Sequence, residues 1–168
     1  MFGPRQPQVR HDDEQGRPRI PRETIAAFVS SRNACVFCTS SHAAAARHLY
    51  GDAAGTVDAV LADYRAAPVS DKLKALLAIA GKVRDGGGRV VTDEDVAEAR
   101  RHGATDRDLH DTVLIAAAFS MYNRYVDGLA SFTPTDPAVY AEMGRRMAEQ
   151  GYAGRLQQIV NGQTGDGR

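Results

Sequence analysis

The sequence carries no surplus of charge of either sign. Lysine and arginine together number 21, and aspartate and glutamate also number 21. A chain without net charge has no long-range electrostatic field that would draw it to nucleic acid or to an anionic membrane surface. We therefore expect no nucleic-acid partner.

Long apolar runs are also missing. The longest, such as the run over 113–121, reach about ten residues, whereas a membrane-spanning helix needs about 20. The segment 1–17 is rich in proline, arginine, glutamine and acidic residues and lacks the apolar core of a signal peptide. We therefore expect no membrane association and a cytoplasmic location.

Cysteine is scarce, since only Cys35 and Cys38 occur. In the cytoplasm the redox buffer keeps most thiols reduced. A cysteine pair there is more often catalytic, redox-sensing or metal-binding than a structural disulfide. The two residues are therefore the first candidates for a functional site.

Helical periodicity fills most of the chain. Pro21 and Glu23 suit the first turn of a helix, and Asn33 suits the cap of a second helix that carries the cysteines and ends before Gly51. The remaining helices are expected near 56–64, after Ser70, after Thr92, after Thr105 and over 137–149, with a weaker one following. The helix after Thr105 is the most apolar, so we expect it to be central.

No segment alternates apolar and polar residues over a strand's length. The sequence therefore predicts one all-α domain of six to eight helices over 21–160. A flexible N-terminal arm over 1–20 and a disordered tail over 161–168 flank it, because both are polar and poor in apolar anchors.

The cysteines and one histidine share a helical spacing. Cys35 and Cys38 are three positions apart, and His42 follows Cys38 by four, so one helix would present all three on one face. Cα atoms at this separation lie roughly 5 Å apart along a helix, within the range of about 4.4–6.8 Å that a disulfide accepts. Such a pair can form and break a disulfide with little backbone movement.

Reactivity at this motif depends on forming a thiolate. A free cysteine has a pKa of about 8.5. Both a helix N-terminus and an adjacent imidazolium favour the anion. Two other readings stay open: buried structural thiols, or a zinc site, for which a fourth ligand is not evident in the sequence.

Other polar residues are interpreted as structural. Asn123, Arg124 and Asp127 interrupt an apolar helix, and a buried hydrogen-bond network is the favoured explanation. His48 lies off the face of His42 and is expected at the surface. The glycines over 86–88 lack the context of a phosphate-binding loop and are read as a linker.

The spacing of Glu23, Cys35, Cys38 and His42 resembles that of the AhpD-like, carboxymuconolactone decarboxylase superfamily, in particular its alkylhydroperoxidase or peroxidase-related branch. The resemblance covers roughly 20–130. It implies an AhpD-like all-α fold and a homo-oligomer, a trimer or a dimer-based hexamer. It also implies an organic hydroperoxide or other small substrate, a reducing dithiol protein as partner, and no cofactor or metal.

The same resemblance implies roles for individual residues. Cys38 would be the peroxidatic thiolate, Cys35 the resolving thiol, and Glu23 and His42 a proton relay, through water in some arrangements. Some members carry a histidine where this chain has Phe37, which implies weaker turnover. The alternatives are a non-redox, decarboxylase-like lyase and a redox-sensing or metal-binding oligomer.

Overall fold

The computed structural model describes residues 19–151. The tail predicted for 161–168, the weak helix expected after Glu149, and all but the last two positions of the arm predicted for 1–20 therefore lie outside the described residues.

Residues 19–151 are all-helical and contain no strand, as the periodicity predicts. Single turns of 3-10 helix lie at Gly51–Ala53 and Gly88–Val90. The seven α-helices are α1 Arg19–Arg32, α2 Val36–Tyr50, α3 Gly55–Asp63, α4 Asp71–Gly86, α5 Asp93–Arg101, α6 Asp106–Gly128 and α7 Pro137–Gln150.

The helix starts follow the capping chemistry that the sequence predicts. The Ser70 hydroxyl accepts a hydrogen bond from the Leu73 amide at the start of α4. Thr92 and Thr105 open α5 and α6 with reciprocal capping boxes, which satisfy amides that a helix start leaves without an internal partner. The first helix begins at Arg19, two residues before Pro21.

The main core lies between α1, α4 and one side of α6. Apolar residues at helical spacing on α1 and α4 meet there, and the Phe28 ring packs edge-on against Tyr64 with centroids 5.3 Å apart. The buried members from these two helices are Ile25, Phe28, Val29, Leu73, Leu76, Leu77, Ile79, Ala80 and Val83. A smaller apolar cluster joins α1, α2 and α3.

The expectation that α6 is central is wrong. Leu114 is 56% exposed, and Met121 and Tyr125 are exposed on the same side of the helix; positions 121 and 125 each fall within about 20° of position 114. We call this stripe the α6 outer face. Within the described residues α6 packs against α1 and α4 from one side only. The apolar side chains of the α6 outer face are therefore left exposed.

Helix α7 packs closely against α2. A Cβ added to Gly144 would lie 2.5 Å from the carbonyl carbon of Ala44, so a side chain at 144 would push the two helices apart. This approach holds α7 beside the helix that carries Cys38. No helix of the described residues is long and apolar enough to cross a membrane.

Candidate active site

A tight turn between α1 and α2 sets the position of the first cysteine. The Ala34 amide donates to the Ser31 carbonyl at 3.0 Å, and the Cys35 amide donates to the Ser30 carbonyl at 3.1 Å. Ala34 takes a left-handed backbone conformation, with φ 58°. These two bonds and the left-handed residue form a Schellman motif, which ends α1 and reverses the chain.

Cys35, and not Asn33, is the N-cap of α2. The helix begins at Val36, and the Cys35 backbone is extended, with φ −80° and ψ 101°. Cys38 lies in the first helical turn. The expectation that one helix carries both cysteines on one face is therefore wrong, because Cys35 lies just outside the helix.

Asn33 instead joins a partly buried hydrogen-bond network. Its side-chain amide donates to Asn123 at 2.9 Å, and its side-chain oxygen accepts from Arg84 Nε at 2.8 Å. The Asn123 amide donates onward to the Ser30 hydroxyl at 3.0 Å. This confirms the structural interpretation of Asn123 and ties the α1–α2 turn to α4 and α6. Arg124 is exposed and bonds within its own helix.

Both cysteines are buried free thiols. Cys35 is 0% exposed and Cys38 is 6% exposed. Burial raises the pKa of Cys35 to about 12, and the neighbouring Cys38 and Asp127 side chains add to the rise, while the Cys38 amide lowers it. The lowering of the pKa that a helix N-terminus would produce is therefore outweighed by burial at Cys35, which is a neutral thiol at physiological pH.

Glu23 and His42 are in direct contact. His42 Nδ1 lies 2.8 Å from Glu23 Oε2, and both residues are buried. The break between α1 and α2 lets the two helices face each other, which a single straight helix would prevent. The contact needs no bridging water.

The tautomer of His42 follows from its partner. When Glu23 is a carboxylate, Nδ1 donates its proton to that group, and Nε2 then carries the basic lone pair. The Phe119 ring meets the imidazole edge-on, with centroids 4.5 Å apart. The imidazole is thereby held in one orientation by a carboxylate and an aromatic ring.

The fold gathers all four residues singled out in the sequence where α1 meets the start of α2. Cys38 and His42 lie one turn apart on α2 and share a face, and Glu23 reaches that histidine from α1. Cys35 precedes them in the turn. Within residues 19–151, no group of three or more His, Cys, Asp or Glu side chains is arranged to hold a metal ion.

Two further residues border Cys35. Asp127, exposed near the end of α6, is close enough to Cys35 to favour its neutral thiol. Tyr140 of α7 lies 6.3 Å, ring to ring, from Phe37; burial raises its pKa, and the charge of Cys35 raises it further. Asp127 was interpreted as structural from the sequence, and no local spacing singles out Tyr140.

No protein-family model and no curated protein sequence matches the chain. Solved structures do match, and two of them are peroxidase-related proteins. One is the alkylhydroperoxidase AhpD core of an uncharacterized peroxidase-related protein from Ralstonia eutropha JMP134, with 28% identity and a TM-score of 0.66 over 75% of this chain and 64% of that one. The other is an uncharacterized peroxidase-related protein from Silicibacter sp. TM1040, with 31% identity and a TM-score of 0.65 over 75% and 63%.

The chain thus spans less than two thirds of the length of either protein. Both similarities cover the greater part of this chain, and both concern peroxidase-related proteins. They support the resemblance to the AhpD-like superfamily first drawn from the spacing of Glu23, Cys35, Cys38 and His42.

Proposed function

We propose that the chain is a thiol-dependent hydroperoxide reductase that cycles between a dithiol and a disulfide at Cys35 and Cys38. The observation that carries the proposal is the buried 2.8 Å contact between Glu23 and His42, one helical turn from Cys38. A nucleophilic cysteine needs a nearby base to form its thiolate, and a carboxylate-oriented imidazole supplies one.

In the first step His42 takes the proton of the Cys38 thiol. The thiolate attacks the terminal oxygen of the hydroperoxide, the O–O bond breaks, and the sulfur becomes a sulfenic acid. The departing alkoxide takes a proton from the imidazolium and leaves as the alcohol. The sulfur loses two electrons and the peroxide gains them.

In the second step Cys35 resolves the sulfenic acid. Its sulfur attacks the Cys38 sulfur, a disulfide forms, and the hydroxyl of the sulfenic acid leaves with the Cys35 proton as water. The raised pKa of Cys35 suits this later role, since Cys35 does not compete for the peroxide. An external dithiol then reduces the disulfide by two exchange steps and is itself oxidised.

The test is turnover of cumene hydroperoxide with excess dithiothreitol. We expect peroxide loss in the wild type, none in Cys38→Ser, and a trapped sulfenic acid at Cys38 in Cys35→Ser, identified by mass spectrometry after dimedone labelling. Absence of turnover in the wild type would refute the proposal. Equal peroxide loss in all three proteins would also refute it, because neither cysteine would then take part in the reaction.

We also propose that the chain forms a homo-oligomer through the α6 outer face. Contiguous exposed apolar surface often marks a protein–protein interface. Most soluble oligomers are symmetric homo-oligomers. Leu114→Lys should lower the molar mass measured by light scattering, and the matched change Val90→Lys, at an exposed residue away from α6, should not. A wild-type monomer would contradict the proposal.

A further inference from the structure

The Cys35 sulfur interacts with titratable groups from three helices. They are Cys38 of α2, the Asp127 carboxylate of α6, which is hydrogen-bonded to Cys35, and Tyr140 of α7, whose pKa is raised by burial and by the charge of Cys35. Cys35 is 0% exposed, whereas Asp127 is exposed. The hydrogen bond between them thus connects a fully buried thiol to a group in contact with solvent.

The packing of α6 against the α1–α2 turn accounts for this contact. Asn123 of α6 is 1% exposed and is hydrogen-bonded to Asn33 at 2.9 Å and to the Ser30 hydroxyl at 3.0 Å. The Cys35 amide donates to the Ser30 carbonyl, so Asn123 and Cys35 meet the same residue of α1. Asp127 follows Asn123 by four positions and shares its face of α6. The anchored Asn123 therefore directs Asp127 toward the turn that carries Cys35.

The resolving step requires Cys35 to lose its proton. Burial raises the pKa of this thiol to about 12, so only about one molecule in 10⁵ carries the thiolate at pH 7. As the Cys35 sulfur bonds to a second sulfur, its proton becomes strongly acidic, and a base in contact with it can accept the proton during the attack. General-base assistance of this kind speeds a reaction by about 10²–10⁴-fold.

The carboxylate is the neighbouring group that suits the role of this base. Burial raises the pKa of Tyr140, so its hydroxyl is a neutral phenol, which is a poor proton acceptor. Cys38 is the residue under attack. An ionised carboxylate only accepts hydrogen bonds, and the exposed position of Asp127 lets it pass a proton on to solvent.

We propose that Asp127 is a catalytic residue of the resolving step, which takes the proton of Cys35 while the Cys35 sulfur attacks Cys38. This role rests on the dithiol–disulfide cycle of the proposed function. The S–S bond forms as the S–O bond of the sulfenic acid breaks and hydroxide leaves. The proton held by Asp127 then reaches the hydroxide through solvent, which gives water and restores the carboxylate.

The same contact would have the opposite effect if it only stabilised the neutral thiol. After burial, the hydrogen bond with Asp127 also helps to raise the Cys35 pKa. Removing the carboxylate would then release more Cys35 thiolate and quicken the attack, whereas loss of a proton acceptor slows it. The two roles therefore predict opposite signs for the effect of Asp127→Asn on the rate of the attack.

The test uses dithiodipyridine, an uncharged disulfide, so that it does not depend on peroxide turnover. The reagent forms a mixed disulfide on Cys38 and releases one thiopyridone. Cys35 then attacks the Cys38 sulfur and releases the second, which stopped-flow absorbance follows separately. Asp127→Asn should slow the second release about 10²-fold. Asp52→Asn, which removes an exposed carboxylate beyond the far end of α2, should not slow it.

The first release should proceed in all three proteins and shows that the site is folded. The pH dependence of the second release gives an independent readout. With a carboxylate as acceptor the neutral thiol reacts, so the wild-type rate should stay level between about pH 6 and 8. Without it the thiolate must form first, so the Asp127→Asn rate should rise about tenfold per pH unit.

A second release that is unchanged or faster in Asp127→Asn would overturn the proposal. A wild-type rate that itself rises tenfold per pH unit would overturn it as well. Failure of peroxide turnover beside a slowed second release would remove the hydroperoxide as the substrate, and it would still support Asp127 as the proton acceptor of Cys35.

Discussion

The two cysteines should differ sharply in reactivity toward an alkylating reagent. With its pKa raised to about 12 by burial, Cys35 is a thiolate in only about one molecule in 10⁴ at pH 8. At the ordinary value of 9.0 the fraction would be about one in ten. The thiolate is the reactive form, so we expect Cys35 to react about 10³-fold more slowly than an unperturbed cysteine, and its full burial slows it further.

The assay is a timed pulse of iodoacetamide at pH 8, which is then quenched. Trypsin leaves both cysteines on one peptide between Arg32 and Arg47, so the modified cysteine is identified by fragment-ion mass spectrometry. The control is the same pulse in denaturant, where both thiols should react alike. Modification of native Cys35 at the denatured rate would refute the assigned environment. Modification of Cys38 alone in the native chain is the expected result.

The same raised pKa predicts how stability depends on alkaline pH. In the unfolded chain Cys35 loses its proton near pH 9, whereas in the folded chain it keeps the proton to about pH 12. The folded state then binds more protons than the unfolded state, so this stabilising contribution is full below pH 9 and is lost as the pH rises toward 12. Urea unfolding should show a shallower alkaline decline for Cys35→Ser than for the wild type.

Three further substitutions test the site and its supports. Glu23→Gln keeps the shape of the His42 partner but removes its charge, and should lower peroxide turnover by about 10²-fold or more. Gly144→Ala should cost about 1–3 kcal/mol in urea unfolding because of the clash with α2, whereas Gly128→Ala, whose added Cβ meets nothing within 4 Å, should not destabilise. Ala34→Gly should relieve the left-handed strain and raise the free energy of unfolding by up to about 1 kcal/mol; no gain would contradict that assignment.

The helices were predictable because their signals are local. Ser70, Thr92 and Thr105 have the residue types and the following acids that cap helices, and the structure confirms each of them. The pairing of Glu23 with His42 was predicted from the family resemblance. Periodicity alone does not show that residues on two different helices meet. The structure places the two side chains in contact.

The errors have physical causes that a single sequence does not display. Asn33 is a good capping residue, but its side chain is taken by Asn123 and Arg84, and the left-handed Ala34 moves the helix start onward to Val36. The apolar residues on several faces of α6 predict that the helix is buried, but they do not identify the elements that cover it. Within the described residues only one face of α6 is covered. Tyr140 comes to the site through the packing of α7 against α2, which leaves no local pattern.

The α1–α2 turn places two nearly adjacent cysteines in different environments. It leaves Cys35 outside α2, fully buried, where low solvent access keeps the proton on sulfur. It places Cys38 inside the first turn, on the face that His42 shares one turn later. In the proposed cycle one sulfur attacks the peroxide and the other resolves the product, and the two cysteines differ in backbone geometry, because Cys35 precedes α2 whereas Cys38 lies inside it. Changing the turn should therefore alter the order of thiol reactivity more than changing Phe37 does.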